Sequence, residues 1–296
     1  MFHPEPAADR TLVFSHANGF PAGTYRRLFE TWQTAGWTVH AVAQYGHDPR
    51  WPVSSNWPGL RDQLIDHLEQ VAPQGAWLVG HSLGGLLSLL AAARRPDLAR
   101  GLVLLDSPLI TGWRAQTVRL AKLTRLISRV SPGRIAQRRR QHWPDRAAVL
   151  AHYAAKPVFA AWAPGLLEDY LDCGLQPAPD GGVRLAFERT VETRIYDTLP
   201  HHIGALLRRH PLRVPFGFIA GTASQEMRQA GTAASRQLAG PHYREIEGSH
   251  LFPMERPDAT AAEVLALIAA LAGTAHDRRA GHAGHAGHAG HAAPGA

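Results

Sequence analysis

Short apolar runs alternate with longer amphipathic segments through the first hundred residues of the chain. The run Thr11–Ser15 is followed by turn residues and predicts a buried strand, and the alternating segment Trp37–Ala43 predicts a second strand. Ala76–Val79 and Gly101–Leu105 are the third and fourth predicted strands. The segments between them predict helices over Tyr25–Ala35, Leu60–Val71 and Leu83–Arg95, with Thr24 as the N-cap of the first. Strands that alternate with helices in this way predict an α/β fold, with a mostly parallel sheet covered by helices on both faces.

The pattern changes after Asp106. Residues 107–209 predict mainly helices broken by proline and glycine, with one extended piece near Val183–Phe187. Alternation then returns, and it predicts strands and helices at Val214–Ala220, Met227–Leu238, His242–Ile246 and Ala259–Leu271. We therefore predict a core of residues 1–106 and 210–274, interrupted by a helical insertion of residues 107–209.

The last segment, residues 275–296, repeats a Gly-His-Ala triplet and has no apolar periodicity. Because such a segment has nothing to bury, we expect it to be disordered. It is either a solvated tail without function or a loose ligand for a transition metal, since it carries His282, His285, His288 and His291.

The composition argues against a disulfide-stabilised, secreted or membrane-spanning protein. A single cysteine, Cys173, cannot form a disulfide within the chain, and the first ten residues lack the apolar run of a signal peptide. The longest uncharged apolar run, Leu83–Ala93, is about half of what a membrane span requires. We therefore expect a cytoplasmic protein without stable membrane insertion.

The positive charge is concentrated in one part of the insertion. The chain has a net charge of +7, and residues 112–146 alone carry ten basic residues against one acidic residue. The rest of the chain is therefore slightly acidic. Because no groove-reading motif accompanies the basic residues, the charge does not predict a nucleic-acid partner.

The clearest chemical motif is Gly80-His81-Ser82-Leu83-Gly84, which lies between a predicted strand and an apolar helix. In this context Gly-x-Ser-x-Gly is a nucleophile elbow, a tight turn that exposes a strained serine and has no room for larger side chains at the two glycines. Ser82 is the predicted nucleophile. The backbone N–H of Leu83, at the helix N-terminus, is free to bind an oxyanion.

This arrangement resembles the α/β-hydrolase superfamily over nearly the whole chain except the tail. The superfamily places its catalytic groups in the order nucleophile, acid, histidine. His250, in the loop after the predicted strand His242–Ile246, matches the position of the general base. The resemblance also implies a second oxyanion donor in the loop that begins at His16, where we favour the N–H of Asn18 over that of Ala17.

The catalytic acid departs from the commonest pattern of the superfamily. The usual acid follows the strand after the insertion, but Ser224 occupies that position, and a hydroxyl cannot compensate an imidazolium. Two carboxylates are candidates. We favour Asp106, which ends the strand Gly101–Leu105, and Glu226 is the alternative.

The resemblance implies a serine hydrolase that cleaves a carboxylic ester or related acyl compound through an acyl-enzyme, with no metal or organic cofactor. A small-molecule acyl substrate is the expected partner. A carbon–carbon bond hydrolase or acyltransferase with the same triad is a second hypothesis. A ligand-binding protein with a degraded triad is a third.

The resemblance further implies that residues 107–209 form a cap over the nucleophile. The start of this segment predicts a helix with apolar residues on one side and basic residues on others: Leu120, Leu123, Ile127 and Val130 against Arg119, Lys122, Arg125 and Arg129. The basic face, extended by Arg138, Arg139 and Arg140, is either solvated or attracts anionic substrates or an acidic surface. Aromatic residues are candidates for an apolar pocket: Trp57, Trp113, Phe159 and Trp162.

Overall fold

The computed structural model describes residues 10–124 and 133–285. Its centre is a six-stranded sheet in the order β2-β1-β3-β4-β8-β9, and all neighbouring strands pair in parallel. The strands of this sheet are β1 Thr11–Ser15, β2 Thr38–Ala41, β3 Ala76–His81, β4 Ala99–Leu105, β8 Phe216–Gly221 and β9 Tyr243–Ile246. The α/β prediction is confirmed. Because the strands are parallel, the loops that follow them share one edge of the sheet, and polar side chains from distant parts of the sequence meet there.

Helices cover both faces of this sheet. Its flanking helices are α1 Arg26–Thr34, α2 Pro58–Val71, α3 Leu83–Arg94, α11 Gln225–Ala230, α12 Ala233–Ala239, α13 Phe252–Glu255 and α14 Pro257–His285. One apolar cluster forms between the sheet and the face bearing α2 and α3, and a second forms with α1 and α14. The four central strands, β1, β3, β4 and β8, are buried on both sides, which explains their nearly continuous apolar runs. The edge strands β2 and β9 are partly exposed.

Residues 107–209, called the insertion below, connect β4 to β8. Their helices are α4 Gly112–Leu123, α5 Gly133–Gln137, α6 Arg146–Ala154, α7 Pro157–Ala160, α8 Leu166–Gly174, α9 Arg189–Asp197 and α10 Ile203–Arg209. A small antiparallel sheet in the order β5-β7-β6 joins them, with strands His142–Trp143, Leu175–Pro177 and Val183–Leu185. Helix α8 packs on the 3₁₀ turn Ala22–Tyr25, where a side chain at Gly23 would collide with Cys173.

Helix α4 is oriented differently from the sequence prediction. Leu120, expected in an apolar core stripe, is 61% exposed, and Lys122, expected on a solvated face, is half-buried. The Lys122 ammonium donates to the carbonyls of Thr198 and Leu199, which follow the C-terminus of α9. Those carbonyls lack partners within the helix, and the half-buried Lys122 donates to both, together with the N–H of Asn56 at Thr198 O. These contacts account for the inward orientation of Lys122. Ile127 and Val130 lie outside the described residues.

Local predictions differ from the structure at two further places in the core. Thr24 lies inside the 3₁₀ turn, and α1 begins at Arg26 without a side-chain cap, so the N-cap prediction is wrong. The helix expected over Met227–Leu238 is divided into α11 and α12 at Gly231, which has a φ of +81°.

Helix α14 continues over residues 275–285, where disorder was expected. Its alanine-rich sequence favours propagation of a helix that is already nucleated. Residues 286–296, with His288 and His291, lie outside the described residues.

By length and composition, Pro257–Thr274 of α14 could cross a membrane. In this fold the helix packs against the sheet, and its apolar face is buried through Ala261, Val264, Leu267, Ile268 and Leu271.

Candidate active site

Ser82 lies on the strained turn that its motif predicts. Its φ is +54°, in the left-handed region that non-glycine residues rarely adopt. The turn leaves no space beside it, because a Cβ at Gly84 would lie 2.0 Å from the carbonyl oxygen of Ser15, and one at Gly80 would lie 2.4 Å from backbone atoms of Gly84. Small residues are therefore required on both sides of the serine, which is raised at the carboxyl edge of the sheet.

His250 and Asp106 approach Ser82 in one line of hydrogen bonds. His250 Nε2 lies 3.0 Å from Ser82 Oγ, and His250 Nδ1 lies 2.7 Å from Asp106 Oδ2. Asp106 is fully buried, with a φ of +42° directly after β4, and its Oδ1 accepts from the backbone N–H of Gly221 at 2.7 Å. The three side chains, separated by up to 168 residues in sequence, form a nucleophile–base–acid geometry.

The environment of His250 favours its charged form. Burial lowers the pKa of His250, but the hydrogen bond and charge of Asp106, with a further contribution from Glu226, raise it above the ordinary value of 6.5. An imidazole with a raised pKa in this position is a stronger base toward the Ser82 hydroxyl.

The two candidate acids differ in their contact with His250. Asp106, and not Glu226, bonds to His250. Ser224 donates its hydroxyl to Asp106 Oδ2 at 2.5 Å and accepts from Met227 N. The residue in the usual acid position thus holds the Asp106 carboxylate in place.

Glu226 lies at the edge of this group. Asp106, Glu226 and His250 each place one oxygen or nitrogen within 4.8 Å of the others, a spacing at which three such groups can hold a metal ion. Both oxygens of Asp106 are already hydrogen-bonded. The group is therefore better described as a histidine that bonds to one carboxylate and lies near a second, exposed carboxylate.

The loop after β1 contains the predicted second oxyanion donor. The N–H of Ala17 already donates to Tyr25 Oη at 3.2 Å, whereas the N–H of Asn18 has no acceptor among the described residues. The N–H of Leu83 is the first of α3, where helical geometry offers no acceptor. Asn18 and Leu83 both line the pocket that contains Ser82. Asn18 therefore fits the donor position better than Ala17.

Sequence reasoning did not select Tyr25 and His81, which connect this loop to the loop that carries His250. Tyr25 Oη lies 2.7 Å from His81 Nδ1, and His81 Nε2 lies 2.8 Å from the carbonyl oxygen of His250. Since that carbonyl only accepts, His81 Nε2 carries the proton and Nδ1 accepts from Tyr25. Burial holds the pKa of His81 well below its ordinary value, consistent with this neutral ring. His81 lies inside the Gly-x-Ser-x-Gly motif, and this position was the signal in the sequence that could have pointed to it.

His16 is a structural residue. It is fully buried, its Nδ1 donates to Ala17 O, and its Nε2 accepts from the N–H of Tyr45. Burial lowers the pKa of His16 to about 4, so the ring is neutral.

A cavity of about 480 Å³ opens above Ser82 between the core and the insertion. Its wall is mainly apolar, and it includes Trp57, Leu86, Ile195, Leu199 and Ile203. Glu226, Gln229 and Arg114 supply a polar side. Of the aromatic residues proposed for a pocket, Trp57 and Trp113 line this cavity. Phe159 and Trp162 instead pack against each other and against Tyr170 inside the insertion, with their rings tilted or edge-on.

A parallel sheet covered on both faces, with a serine raised on a strained turn at its carboxyl edge, defines a hydrolase of the α/β type. Comparison with known proteins leads to the same class of protein. The model for the alpha/beta hydrolase family matches residues 12–263, and the chain belongs to that family.

Individual relatives are more distant. Monoglyceride lipase of Rattus norvegicus is 36% identical over 110 residues, and this match covers 34% of the chain and 36% of the lipase. The chain thus spans about a third of the length of that relative. E-2-(acetamidomethylene)succinate hydrolase superposes with a TM-score of 0.68 at 22% identity, covering 88% of this chain and 91% of the other. An M. tuberculosis esterase superposes with a TM-score of 0.64 at 22% identity, covering 89% and 86%. Both superpositions show a shared fold.

Proposed function

We propose that the protein hydrolyses a carboxylic ester through a Ser82–His250–Asp106 triad and an acyl-enzyme intermediate. The observation that carries this proposal is the continuous line of contacts from Ser82 Oγ to His250 and on to Asp106. The partial match to a monoglyceride lipase and the fold shared with an esterase support ester chemistry.

The first half of the reaction forms the acyl-enzyme. His250 Nε2 accepts the proton of Ser82 as Oγ attacks the ester carbonyl, and Asp106 stabilises the resulting imidazolium. The N–H groups of Leu83 and Asn18 donate to the oxyanion, and such donors contribute about 3 kcal/mol each to transition-state stabilisation. The tetrahedral intermediate collapses when His250 returns the proton to the leaving alcohol.

The second half releases the acid. A water molecule gives a proton to His250 Nε2 and attacks the acyl carbonyl, and the protonated histidine then returns the proton to Ser82 Oγ as the carboxylic acid leaves. The insertion acts as a cap in this proposal. Its apolar residues Ile195, Leu199 and Ile203 face the cavity, which favours an acyl chain over a polar group on that side.

The test combines labelling with turnover. A fluorophosphonate probe should label the wild-type protein and the Ser55→Ala variant, which lacks an exposed serine outside the site, but not Ser82→Ala. A series of p-nitrophenyl esters of increasing chain length should be hydrolysed by the same two labelled proteins. Absence of labelling and of turnover for every ester would overturn the proposal. Cleavage of β-diketones in place of esters would favour the carbon–carbon bond hydrolase.

A further inference from the structure

The insertion contacts the oxyanion loop, defined here as residues 16–20, through a polar contact at its centre. The side-chain amide of Asn18 donates from Nδ2 to the backbone carbonyl of Glu192 at 3.0 Å. The Glu192 carboxylate covers the next residue so closely that a Cβ at Gly19 would lie 2.9 Å from Oε1. Gly19 has a φ of +82°, so the loop passes beneath Glu192 in a conformation that favours glycine.

Glu192 is itself fixed by a buried cation. Arg139 Nη1 donates to Glu192 Oε2 at 3.0 Å, and the two side chains are 15% and 10% exposed. The remaining nitrogens of Arg139 donate to Tyr153 Oη at 3.0 Å and to Tyr170 Oη at 2.5 Å. Four parts of the insertion thus converge on this pair: the residues before β5, and helices α6, α8 and α9. A buried ion pair with its hydrogen bonds satisfied is a rigid support.

The core fixes the other end of the same loop. The His16 ring bonds to the backbone of Ala17 and Tyr45, and the N–H of Ala17 donates to Tyr25. The Ala17 carbonyl belongs to the same peptide group as the N–H of Asn18, the proposed oxyanion donor, and it accepts from His16 Nδ1 at 2.8 Å and from the N–H of Phe20 at 3.1 Å. The core therefore holds the carbonyl side of this peptide, and the insertion holds the residue that follows it through the Asn18 side chain.

We propose that Glu192 and Arg139 are positioning residues for the oxyanion hole, so that the hole is complete only when the insertion is seated on Asn18 and Gly19. This inference rests on the proposed function. In this proposal the insertion both lines the cavity and positions the oxyanion donor. Displacement of α9 would move that donor while Ser82, His250 and Asp106 stay in place on the core.

The primary test is Asn18→Ala, which keeps the backbone N–H and removes the tether. Loss of one oxyanion donor costs about 10²- to 10³-fold in kcat, and a misplaced donor should cost about 10- to 100-fold with KM changed less than about threefold. Asn18→Asp should be at least as impaired, because a carboxylate next to the Glu192 carbonyl cannot donate. Arg139→Met should lower kcat, and Arg139→Lys should recover part of it.

Asn56→Ala is the matched control. The Asn56 side chain also joins core to insertion, since its Oδ1 accepts from the N–H of His201 at 3.1 Å, but it lies away from the oxyanion loop. This variant should keep the wild-type kcat even if its melting temperature falls. A parallel loss of kcat in Asn56→Ala would show that any weakened contact with the insertion lowers activity, and the positioning role would be wrong.

A second readout separates positioning from general damage. An alkyl trifluoromethyl ketone forms an oxyanion on Ser82, whereas the alcohol of the same chain length does not. Asn18→Ala should lose ketone affinity in proportion to its loss of kcat and keep its affinity for the alcohol. Equal losses for both ligands, or wild-type kcat and ketone affinity, would overturn the inference. If the wild type and Ser82→Ala are equally inactive on all esters, the proposed function itself fails, which is a distinguishable result.

Discussion

The two halves of the candidate site are held in different ways. The core half consists of Ser82, Asp106 and His250, which follow strand ends and are joined by partly buried hydrogen bonds. Asp106 is also fixed by buried bonds to Gly221 and Ser224, and the backbone of Ser82 and Asp106 is left-handed. The insertion half includes α4, where Trp113 is 70% exposed and Leu120 is 61% exposed. Several contacts with the sheet therefore hold each of the three candidate catalytic side chains, whereas the side chains of α4 in the cavity wall have few contacts that hold them.

This difference separates chemistry from substrate selection. Changes in the core half should remove activity or stability, because the packing there leaves no room to adjust. Changes on α4 should alter which substrates bind while the fold persists. The contact between Glu192 and the oxyanion loop is the exception, since it connects the two halves.

The largest contrast is expected between the two carboxylates near His250. Asp106→Asn should lower kcat by about 10⁴-fold, because the amide cannot compensate the imidazolium. Glu226→Gln should lower it less than about tenfold, since Glu226 makes no hydrogen bond to the histidine. Steady-state kinetics on one activated ester measures both. A larger effect for Glu226→Gln would identify Glu226 as the acid.

The two tryptophans of the cavity should separate stability from binding. Trp57 is 1% exposed and its indole N–H donates to Ile195 O and Thr198 Oγ1, so Trp57→Ala should cost about 3–5 kcal/mol of unfolding free energy. Trp113→Ala should cost less than about 1 kcal/mol and raise KM for long-chain esters more than for acetate esters. Chemical denaturation and chain-length kinetics check the pair. Similar losses of stability would contradict the contrast.

Glycine substitutions offer a third comparison. Gly84→Ala should lower the unfolding free energy by about 3 kcal/mol, because its Cβ would collide with the backbone of Ser15. Gly204→Ala, in α10 of the insertion, meets nothing closer than 3.6 Å and should raise it by about 0.5 kcal/mol. Denaturant unfolding of both variants provides the measurement. A destabilised Gly204→Ala would show that the insertion is packed as tightly as the core.

The smallest expected effect is on the pH profile. The neutral form of His250 acts as the base, so kcat/KM should fall as the pH drops through its raised pKa, with a midpoint above 6.5. Removal of the Glu226 charge should move this midpoint downward. The acidic limb of the profile for wild type and Glu226→Gln tests this, with Glu247→Gln as a control for a carboxylate that lies outside the cavity. An unchanged midpoint in Glu226→Gln would exclude an electrostatic contact.

The sequence predicted the core better than the insertion for a physical reason. Parallel strands are buried on both faces, and their apolar runs and the motif at Ser82 are local signals. The placement of His250 followed from chain order in the resembled superfamily. The contact of His250 with Asp106, and not with Glu226, became visible only in the side-chain geometry, because 144 residues separate Asp106 from His250.

In the insertion, tertiary contacts determine which side chains face inward, and the local sequence pattern does not show these contacts. Lys122 faces inward and donates to carbonyls beyond the C-terminus of α9, which reverses the helix face expected from periodicity. Glu192 influences the oxyanion loop through its backbone carbonyl, a group that every residue possesses. No residue type in the sequence could have indicated that role.

The contact of Cys173 with Gly23 also has a practical use. The chain contains one thiol, and it lies where α8 meets the turn that follows the oxyanion loop. Burial raises the pKa of the thiol, so it should react slowly while the two surfaces stay together. The rate at which Cys173 is alkylated therefore measures how often α8 separates from this turn. The measurement needs no cysteine introduced by mutation.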